Sequence, residues 1–162
     1  MNALKFQVLS LCLDEVKVQY ERIINNKLSI SLNFGYLNDK IGIAQNLGRI
    51  EELKGFDINP QVRYYFSGKA PVGIYSGIYG QISKGVFADD SYPLYDFNFH
   101  GGGIILGNQN RFDRFILDTY IGGGFCNLTY SGTYQTKYGT SIDNGKKSLF
   151  LPSINISLGY LF

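Results

Sequence analysis

The sequence predicts an all-β fold: an eight-stranded, antiparallel, up-and-down β-barrel that spans a membrane and occupies residues 1–162 as one domain. Three observations predict it. The 162 residues include 20 Gly, 13 Tyr and 12 Phe but only 17% charged residues, a composition that favours strands and tight turns over helices. Apolar and polar residues alternate in several segments. The connectors between these segments alternate between short and long.

The last ten residues show the alternation most clearly, because every second side chain is apolar and those between are small or polar. The apolar set is Ile154, Ile156, Leu158, Tyr160 and Phe162. Chain ends of soluble proteins usually fray in water, so a regular strand at this terminus indicates that something holds it. We expect this set to face lipid. Segments 28–36 and 56–66 repeat the pattern.

The strand positions follow from this period of two. Strands are predicted at about 3–11, 16–21, 28–36, 56–66, 72–84, 95–106, 114–126 and 150–162. Short turns are predicted at 25–26, 67–71 and 108–113, and longer loops at about 38–54, 85–94 and 127–147. Outer-membrane barrels have short periplasmic turns and longer external loops. The pattern therefore predicts a location in the cell outer membrane with both termini in the periplasm.

The polar faces of the strands are expected to line a narrow interior. Isolated charges in such an interior cost several kcal/mol, so charges of opposite sign have to pair there. We expect Lys17, Glu21, Arg63 and Asp118 to form a mixed-sign lumen network. An eight-stranded barrel leaves an interior just wide enough for side chains, which predicts a lumen without an open pore.

Aromatic residues are concentrated at two levels of the predicted barrel. Near the short turns lie Tyr64, Phe66, Phe115, Tyr160 and Phe162, and near the long loops lie Phe34, Tyr36, Phe97 and Phe125. Membrane barrels carry such girdles at both interfaces of the bilayer, whereas a soluble sandwich does not need them. The two levels favour a transmembrane barrel, closed by pairing of the last strand with the first.

Three stretches of the chain resemble a known class of proteins. They are VQYERIINNKLSISLNFGY (18–36), INPQVRYYFSGKAPVGIYSGIYG (58–80) and the terminal LGYLF. The chain resembles the small outer-membrane barrels of Gram-negative bacteria, OmpX-like and OmpA-transmembrane-like in architecture, and the first two stretches resemble uncharacterised members of that class. The terminal aromatic resembles the signal read by the outer-membrane assembly machinery. The resemblance implies that Glu21 and Arg63 are inward structural partners and that Arg22 points outward.

Two local features modify this picture. Pro60 has no backbone N–H to donate to a ladder, so we expect a bulge or a strand end there. The glycine clusters 101–103 and 122–124 lack the Lys-Ser/Thr or the helix of a phosphate-binding loop. They lie on strands predicted to be neighbours, where missing side chains let the wall bend or let tyrosines fill the lumen.

The single histidine is the obvious catalytic candidate. Some outer-membrane barrels are lipid A deacylases or acyltransferases in which a histidine activates a serine; the deacylases carry it two positions on, where this chain has Gly102. The period of two points His100 inward, where Asp96 or Asp118 is expected to meet it. We interpret His100 as an interior histidine of the lumen network and predict no catalytic residue and no enzymatic activity.

No cofactor and no metal site is predicted. Cys12 and Cys126 lack the spacing of metal ligands and are expected to be unpaired. Cys12 follows a faint lipoprotein-like box, but Leu11 stands where a small residue is needed, so lipidation is not expected. Asp89 and Asp90 suit a divalent cation that bridges lipopolysaccharide phosphates, but solvation in a loop is the preferred interpretation.

Charge and hydropathy exclude two classes of protein. With a net charge of +2 and no Lys/Arg run longer than two, nucleic acid is not an expected partner. No apolar stretch approaches the roughly 20 residues of a membrane-spanning helix. The expected partners are outer-membrane lipids and lipopolysaccharide, the outer-membrane assembly machinery during insertion, and other outer-membrane proteins.

A structural or accessory subunit of a larger outer-membrane complex is the function that the sequence favours, because the loops are moderate in length. Three alternatives stay open. They are a loop-mediated adhesion or binding protein, a lipid A-modifying barrel enzyme, and a soluble lipocalin-like barrel. In the lipocalin-like barrel the faces would be inverted, with the apolar side chains inside.

Overall fold

Eight strands form one closed barrel in the computed structural model, which describes residues 1–10, 15–38, 50–89, 92–136 and 139–162. The strands are β1 (Asn2–Gln7), β2 (Glu15–Ile23), β3 (Leu28–Asn38), β4 (Ile50–Tyr65), β5 (Gly73–Asp89), β6 (Tyr92–Phe112), β7 (Phe115–Thr136) and β8 (Gly139–Leu161). Each pairs antiparallel with the next, and β1 pairs with β8. The predicted eight-stranded up-and-down barrel is confirmed.

Within the described ranges, no helix is both long enough and apolar enough to cross a bilayer.

The two faces of the wall differ sharply in polarity. On β8, Ile154 and Leu158 are 63% and 57% exposed on the outside, whereas Asn155 and Ser157 are 2% and 0% exposed inside. All five residues of the predicted lipid-facing set lie on the outer face. Soluble barrels bury their apolar side chains, so this arrangement is the opposite of the one expected for a lipocalin-like barrel.

The first and last strands close the barrel at one end of the wall. Their pairing runs from Ala3 opposite Leu161 to Gln7 opposite Ser157. Two backbone hydrogen bonds of 2.9 Å between Asn2 and Phe162 extend it to the chain ends. The terminal strand therefore has a partner along its last residues, and this end of the wall has no free edge.

Strand length rises steeply around the barrel. β1 has 6 residues and β3 has 11, whereas β6, β7 and β8 have 21, 22 and 23. The loops predicted at 85–94 and 127–147 are therefore wrong for most of their length, because β5 to β8 continue through them. The sheet extends there past the apolar belt. Polar residues in such a part of a sheet give the same sequence pattern as a polar loop.

The short turns lie at the opposite end of the barrel. The turns predicted near 25–26 and 67–71 fall between strands, as expected. The third prediction, 108–113, is wrong, because β6 continues to Phe112, which pairs with Phe115. Only Asp113 and Arg114 form that turn, and Asp113 adopts a left-handed φ of 55°, which aspartate tolerates better than most residues.

The glycine clusters lie side by side on β6 and β7, with Gly103 opposite Gly124. A methyl group on either glycine would collide with the backbone of the other strand, so the two strands approach too closely for any side chain. Pro60 lies inside β4, and the β4–β5 register is the same before and after it. The bulge or strand end expected at Pro60 is therefore wrong; its neighbour across the ladder is Gly80.

Aromatic rings pair at both ends of the outer wall. Phe115 and Tyr160 lie 5.9 Å apart near the short turns, and Phe125 and Phe150 lie 5.4 Å apart near the other end. Phe97 was expected in the second group, but it lies on the inner face of β6, where its ring packs beside Phe87.

Two further predictions concern residues outside the described part of the chain. Cys12 and Asp90 both fall there, so lipidation and cation binding at these positions stay untested. Cys126 is described, and it is a buried free thiol.

Candidate functional site

Four charged side chains meet at the centre of the lumen, and we call them the inner cluster: Lys5, Glu21, Arg63 and Asp118. They come from β1, β2, β4 and β7, and each occupies an inward position of its strand. Inward and outward positions alternate along a strand, so the register of the barrel brings these four residues to one level. All four side chains are 0% exposed.

The inner cluster is a ring in which positive and negative groups alternate. Lys5 Nζ lies 2.5 Å from Glu21 Oε2 and 2.7 Å from Asp118 Oδ2. Arg63 Nη1 lies 2.6 Å from Asp118 Oδ2 and 3.9 Å from Glu21 Oε1. Two cations and two anions make the ring neutral, which is the condition under which buried charges are tolerated.

Tyrosine hydroxyls complete the hydrogen bonding of both carboxylates. Tyr65 Oη donates to Glu21 Oε1 at 2.9 Å, and Tyr75 Oη donates to Asp118 Oδ1 at 2.7 Å. The Arg63 guanidinium also lies 4.7 Å from the centre of the Tyr75 ring, which suits a cation–π contact. Each carboxylate therefore has both a charged and a neutral donor.

Glutamine side chains satisfy the two cations. Gln109 Oε1 accepts a hydrogen bond of 2.7 Å from Lys5 Nζ. Gln61 Oε1 accepts bonds of 3.0 and 2.7 Å from Nε and Nη2 of Arg63. With β3 supplying Ser29, which donates to Glu21 Oε1, β5 supplying Tyr75 and β6 supplying Gln109, seven of the eight strands send polar side chains to this level. Their side chains fill the cross-section of the barrel.

A second group of charges, the outer cluster, lies further from the short turns and consists of Glu15, Lys17 and Asp57. Lys17 Nζ lies 2.9 Å from Glu15 Oε1 and 2.8 Å from Asp57 Oδ2. Asp57 Oδ1 also accepts hydrogen bonds from Gln81 and Ser83. The Glu15 and Lys17 side chains are 11% and 13% exposed, so this cluster is in contact with solvent, unlike the inner cluster.

The structure divides the predicted lumen network. It brings Glu21, Arg63 and Asp118 together in the inner cluster, and it gives Lys17 to the outer cluster.

The inward orientation predicted for His100 is wrong. His100 is exposed on the outer wall, between Ile82 of β5 and Asn127 of β7. The physical reason is the stretch FNFHGGGIILG, which lacks a clean alternation. Its glycines have no side chain that would indicate a polar or an apolar face. Ile105 is apolar but faces inward, where it packs against Tyr65 and Tyr75.

Sequence reasoning missed Lys5 as a member of the inner cluster. The signal was present, because Ala3, Lys5 and Gln7 alternate with Leu4 and Phe6. A lysine inside a short apolar stretch near the chain start is easily taken as an interruption of a targeting segment. Read with a period of two, the same lysine is an inward residue of the first strand.

The inner cluster is suited to a structural role. Every charge in it has an opposite charge within 2.7 Å and further hydrogen-bond partners. In the part of the chain that the structure describes, no group of three or more His, Cys, Asp or Glu side chains is arranged to hold a metal ion. The arrangement ties seven strands together at one level of the lumen.

Comparison with known proteins assigns the chain to a protein family. The family model described as "Protein of unknown function (DUF3575)" matches residues 1–162. The chain belongs to this family. No curated protein matches the DUF3575 chain. A solved structure described as a major outer membrane protein from Thermus thermophilus is similar to this DUF3575 protein over 99% of each chain, with 10% identity and a TM-score of 0.44.

Removing one carboxylate from the inner cluster should destabilise the barrel. Asp118→Asn leaves two buried cations with one anion, and we expect it to lower the free energy of unfolding by about 3–5 kcal/mol. Urea unfolding of the protein in lipid vesicles measures this.

The control is Asp96→Asn, which removes an exposed carboxylate and should change stability by at most about 0.5 kcal/mol. The double variant Asp118→Asn with Lys5→Met restores neutrality and should recover part of the loss. Equal losses for Asp118→Asn and Asp96→Asn would contradict a structural role for the ring.

Proposed function

We propose that the protein is an integral outer-membrane barrel without an open pore, and that it acts as a structural or accessory subunit of a larger outer-membrane complex. The inversion of the two faces carries the proposal. The outer wall exposes apolar side chains, and a neutral ring of buried charges fills the lumen. A wall of this kind is stable against acyl chains, and a lumen of this kind does not let solutes diffuse through.

The apolar belt has the height of a bilayer core. On β8 it runs from Tyr160 to Phe150, each of which pairs with an aromatic ring on β7. That span matches the roughly 9–11 residues that a tilted strand needs to cross the hydrocarbon. Beyond Phe150 the exposed residues of β8 include Lys146, Lys147 and Ser148. We therefore assign the membrane to residues 150–160 of β8 and the aqueous exterior to the residues before them.

A lysine scan on β8 tests this assignment. Ile154→Lys places a charge in the hydrocarbon and should lower the stability in vesicles by about 2–4 kcal/mol. Ile142 is equally exposed, at 67% compared with 63%, but lies beyond the belt. Ile142→Lys should therefore cost at most about 0.5 kcal/mol. Equal costs for the two variants, measured by urea unfolding, would refute the membrane assignment.

A concave stretch of the outer wall supports the subunit role. This wall groove is lined by Tyr64, Ser76, Ile104, Ile121 and Gly123, among others. Ser76 is one of its small lining residues, and small residues let a neighbouring membrane segment approach closely, whereas the Phe150 ring already covers Gly123. The occupant that we propose is the lipid-facing wall of a second outer-membrane protein.

Site-specific cross-linking in native membranes tests the subunit role. A photo-reactive amino acid at Ile104 or Ile121 should give an adduct with one defined protein. The matched control sites are Ile30 and Leu32, which are also exposed but lie on β3, across the barrel from β7. Adducts with lipid alone at all four sites would contradict docking at the wall groove.

A binding or adhesion function is the second candidate, and the long strands favour it. β6 to β8 are about twice as long as the roughly 9–11 residues that cross the hydrocarbon, so a sheet projects from one side of the barrel. In the described ranges, β8 is hydrogen-bonded to the first segment of the chain only from Ile156 onward. The projecting part of β8 offers backbone donors and acceptors to which an extended segment of another protein adds as a strand.

Shortening the projecting hairpin tests this second candidate. Gly132 pairs with Asp143, so replacing the chain between them by Asn-Gly keeps the register of β7 and β8. We expect the truncated barrel to fold with unchanged stability, and cells that display it to adhere no better than cells without the protein. Adhesion equal to that of the full-length protein would contradict the candidate.

The same proposal includes the expected partners and orientation. Outer-membrane lipids and lipopolysaccharide surround the belt, the assembly machinery reads the terminal aromatic strand, and both termini lie in the periplasm beside the short turns. No enzymatic reaction is proposed, and His100 on the outer wall has no role in one.

A further inference from the structure

A cavity of about 250 Å³ with a mixed polar and apolar lining lies in the lumen beside the outer cluster. Its lining includes Gln7, Glu15, Lys17, Asn33 and Ser153. The inner cluster closes the lumen on the side of the short turns, and the partial exposure of Glu15 and Lys17 connects the cavity with solvent on the other side. The cavity is therefore a cup that opens away from the short turns.

Polar atoms that point into this cup have no partner within the described protein. They are Gln7 Nε2, Asn33 Oδ1 and Ser153 Oγ. Gln7 and Asn33 are only 5% and 1% exposed. A buried polar atom without a hydrogen bond costs about 1–3 kcal/mol, so native proteins rarely keep several in one place unless water or a ligand satisfies them.

The charge beside the cup is not balanced. The outer cluster has two carboxylates, Glu15 and Asp57, and one ammonium group, Lys17. Among the described side chains one negative charge is therefore in excess here, whereas the inner cluster is neutral. Burial makes an uncompensated charge unfavourable, and a bound cation relieves it. The described carboxylates do not form a metal site, which points to an organic cation.

We propose that the cup binds a small organic ammonium ion that also carries hydroxyl groups. The ammonium group donates to the Glu15 carboxylate and to Asn33 Oδ1. The hydroxyl oxygens accept from Gln7 Nε2 and exchange hydrogen bonds with Ser153 Oγ. This site goes beyond the proposed structural role of the barrel and does not depend on it.

The volume of the cup sets the size of the ligand. Its 250 Å³ holds several water molecules. A hexosamine of about a dozen non-hydrogen atoms is small enough for a site of this size.

The cup also reaches the edge of β8 beyond its described pairing with β1, which gives the ligand two possible sources. Ile154 and Asn155 lie on opposite faces of β8, and both line the cup. The cup therefore extends around the strand toward the outer wall. The same ammonium chemistry is available from a free solute or from the headgroup of an amine-bearing lipid.

Calorimetric titration of the full-length barrel in phosphatidylcholine nanodiscs tests the proposal, with glucosamine and glucose as probes. The two sugars have nearly the same shape and differ in one ammonium group. Glucosamine should bind with a Kd at least about tenfold lower than that of glucose, because a hydrogen bond to a carboxylate from a charged donor is worth about 1.5–3 kcal/mol.

Two variants assign the site. Glu15→Gln preserves shape and should weaken glucosamine about tenfold while leaving glucose unchanged. Ser153→Leu fills the cup and should abolish binding of both sugars. Asp113→Asn is the matched control, because it removes an exposed carboxylate at the short turns and should change neither affinity. Circular dichroism and urea unfolding check that each variant is folded.

The lipid composition distinguishes the sources. Phosphatidylethanolamine has an ammonium headgroup that can compete for the cup, whereas choline has no N–H to donate. Weaker binding of glucosamine in phosphatidylethanolamine nanodiscs than in phosphatidylcholine nanodiscs therefore supports occupation of the cup by the lipid headgroup. Equal binding supports a free solute. The proposal is overturned if neither sugar binds, if both bind equally, or if Glu15→Gln leaves the glucosamine affinity unchanged; the cup then holds only water.

Discussion

The ion pair between Arg63 and Asp118 is the interaction on which the rest of the barrel depends. It joins β4 to β7 across the lumen, at 2.6 Å and without exposure to water. The strands have to turn their polar faces inward because their outer faces are apolar, and a charge on an inward face is stable only if an opposite charge reaches it. Lys5 and Glu21 extend the pair into a neutral ring, so the closed lumen and the apolar wall are two aspects of one arrangement.

The two charged clusters of the lumen differ in the way that structural and binding sites usually differ. In the inner cluster every charge is matched and shielded from solvent. In the outer cluster the described side chains leave one carboxylate in excess, Glu15 and Lys17 touch solvent, and polar atoms beside them lack partners among the described residues. Fully satisfied polar networks rigidify a protein, whereas partly satisfied ones are open to other molecules. This contrast is the basis for assigning a structural role to the inner cluster and proposing a binding role for the outer one.

The sequence predicted the parts of the fold that follow from a period of two. Ile154 and Leu158 were assignable to the lipid face, and Glu21 and Arg63 to the lumen, because their strands alternate cleanly. His100 was assigned to the wrong face, because glycines and an inward isoleucine interrupt the alternation around it. The grouping of Glu21, Arg63 and Asp118 was predicted, but the place of Lys5 among them and the separate pairing of Lys17 were not. Contacts across a lumen depend on the register of all eight strands, which no local pattern encodes.

The pairing of β1 with β8 has a consequence for how the barrel is made. Ala3 and Leu161 are neighbours in the ladder although almost the whole chain separates them. The ring cannot be sealed before the last strand has been synthesised, and contacts of such long range form slowly. Until then both outer edges offer unpaired backbone to any strand nearby. A chain with this topology therefore cannot complete its barrel strand by strand during synthesis, and a copy that lacks its last strand is left with an open seam.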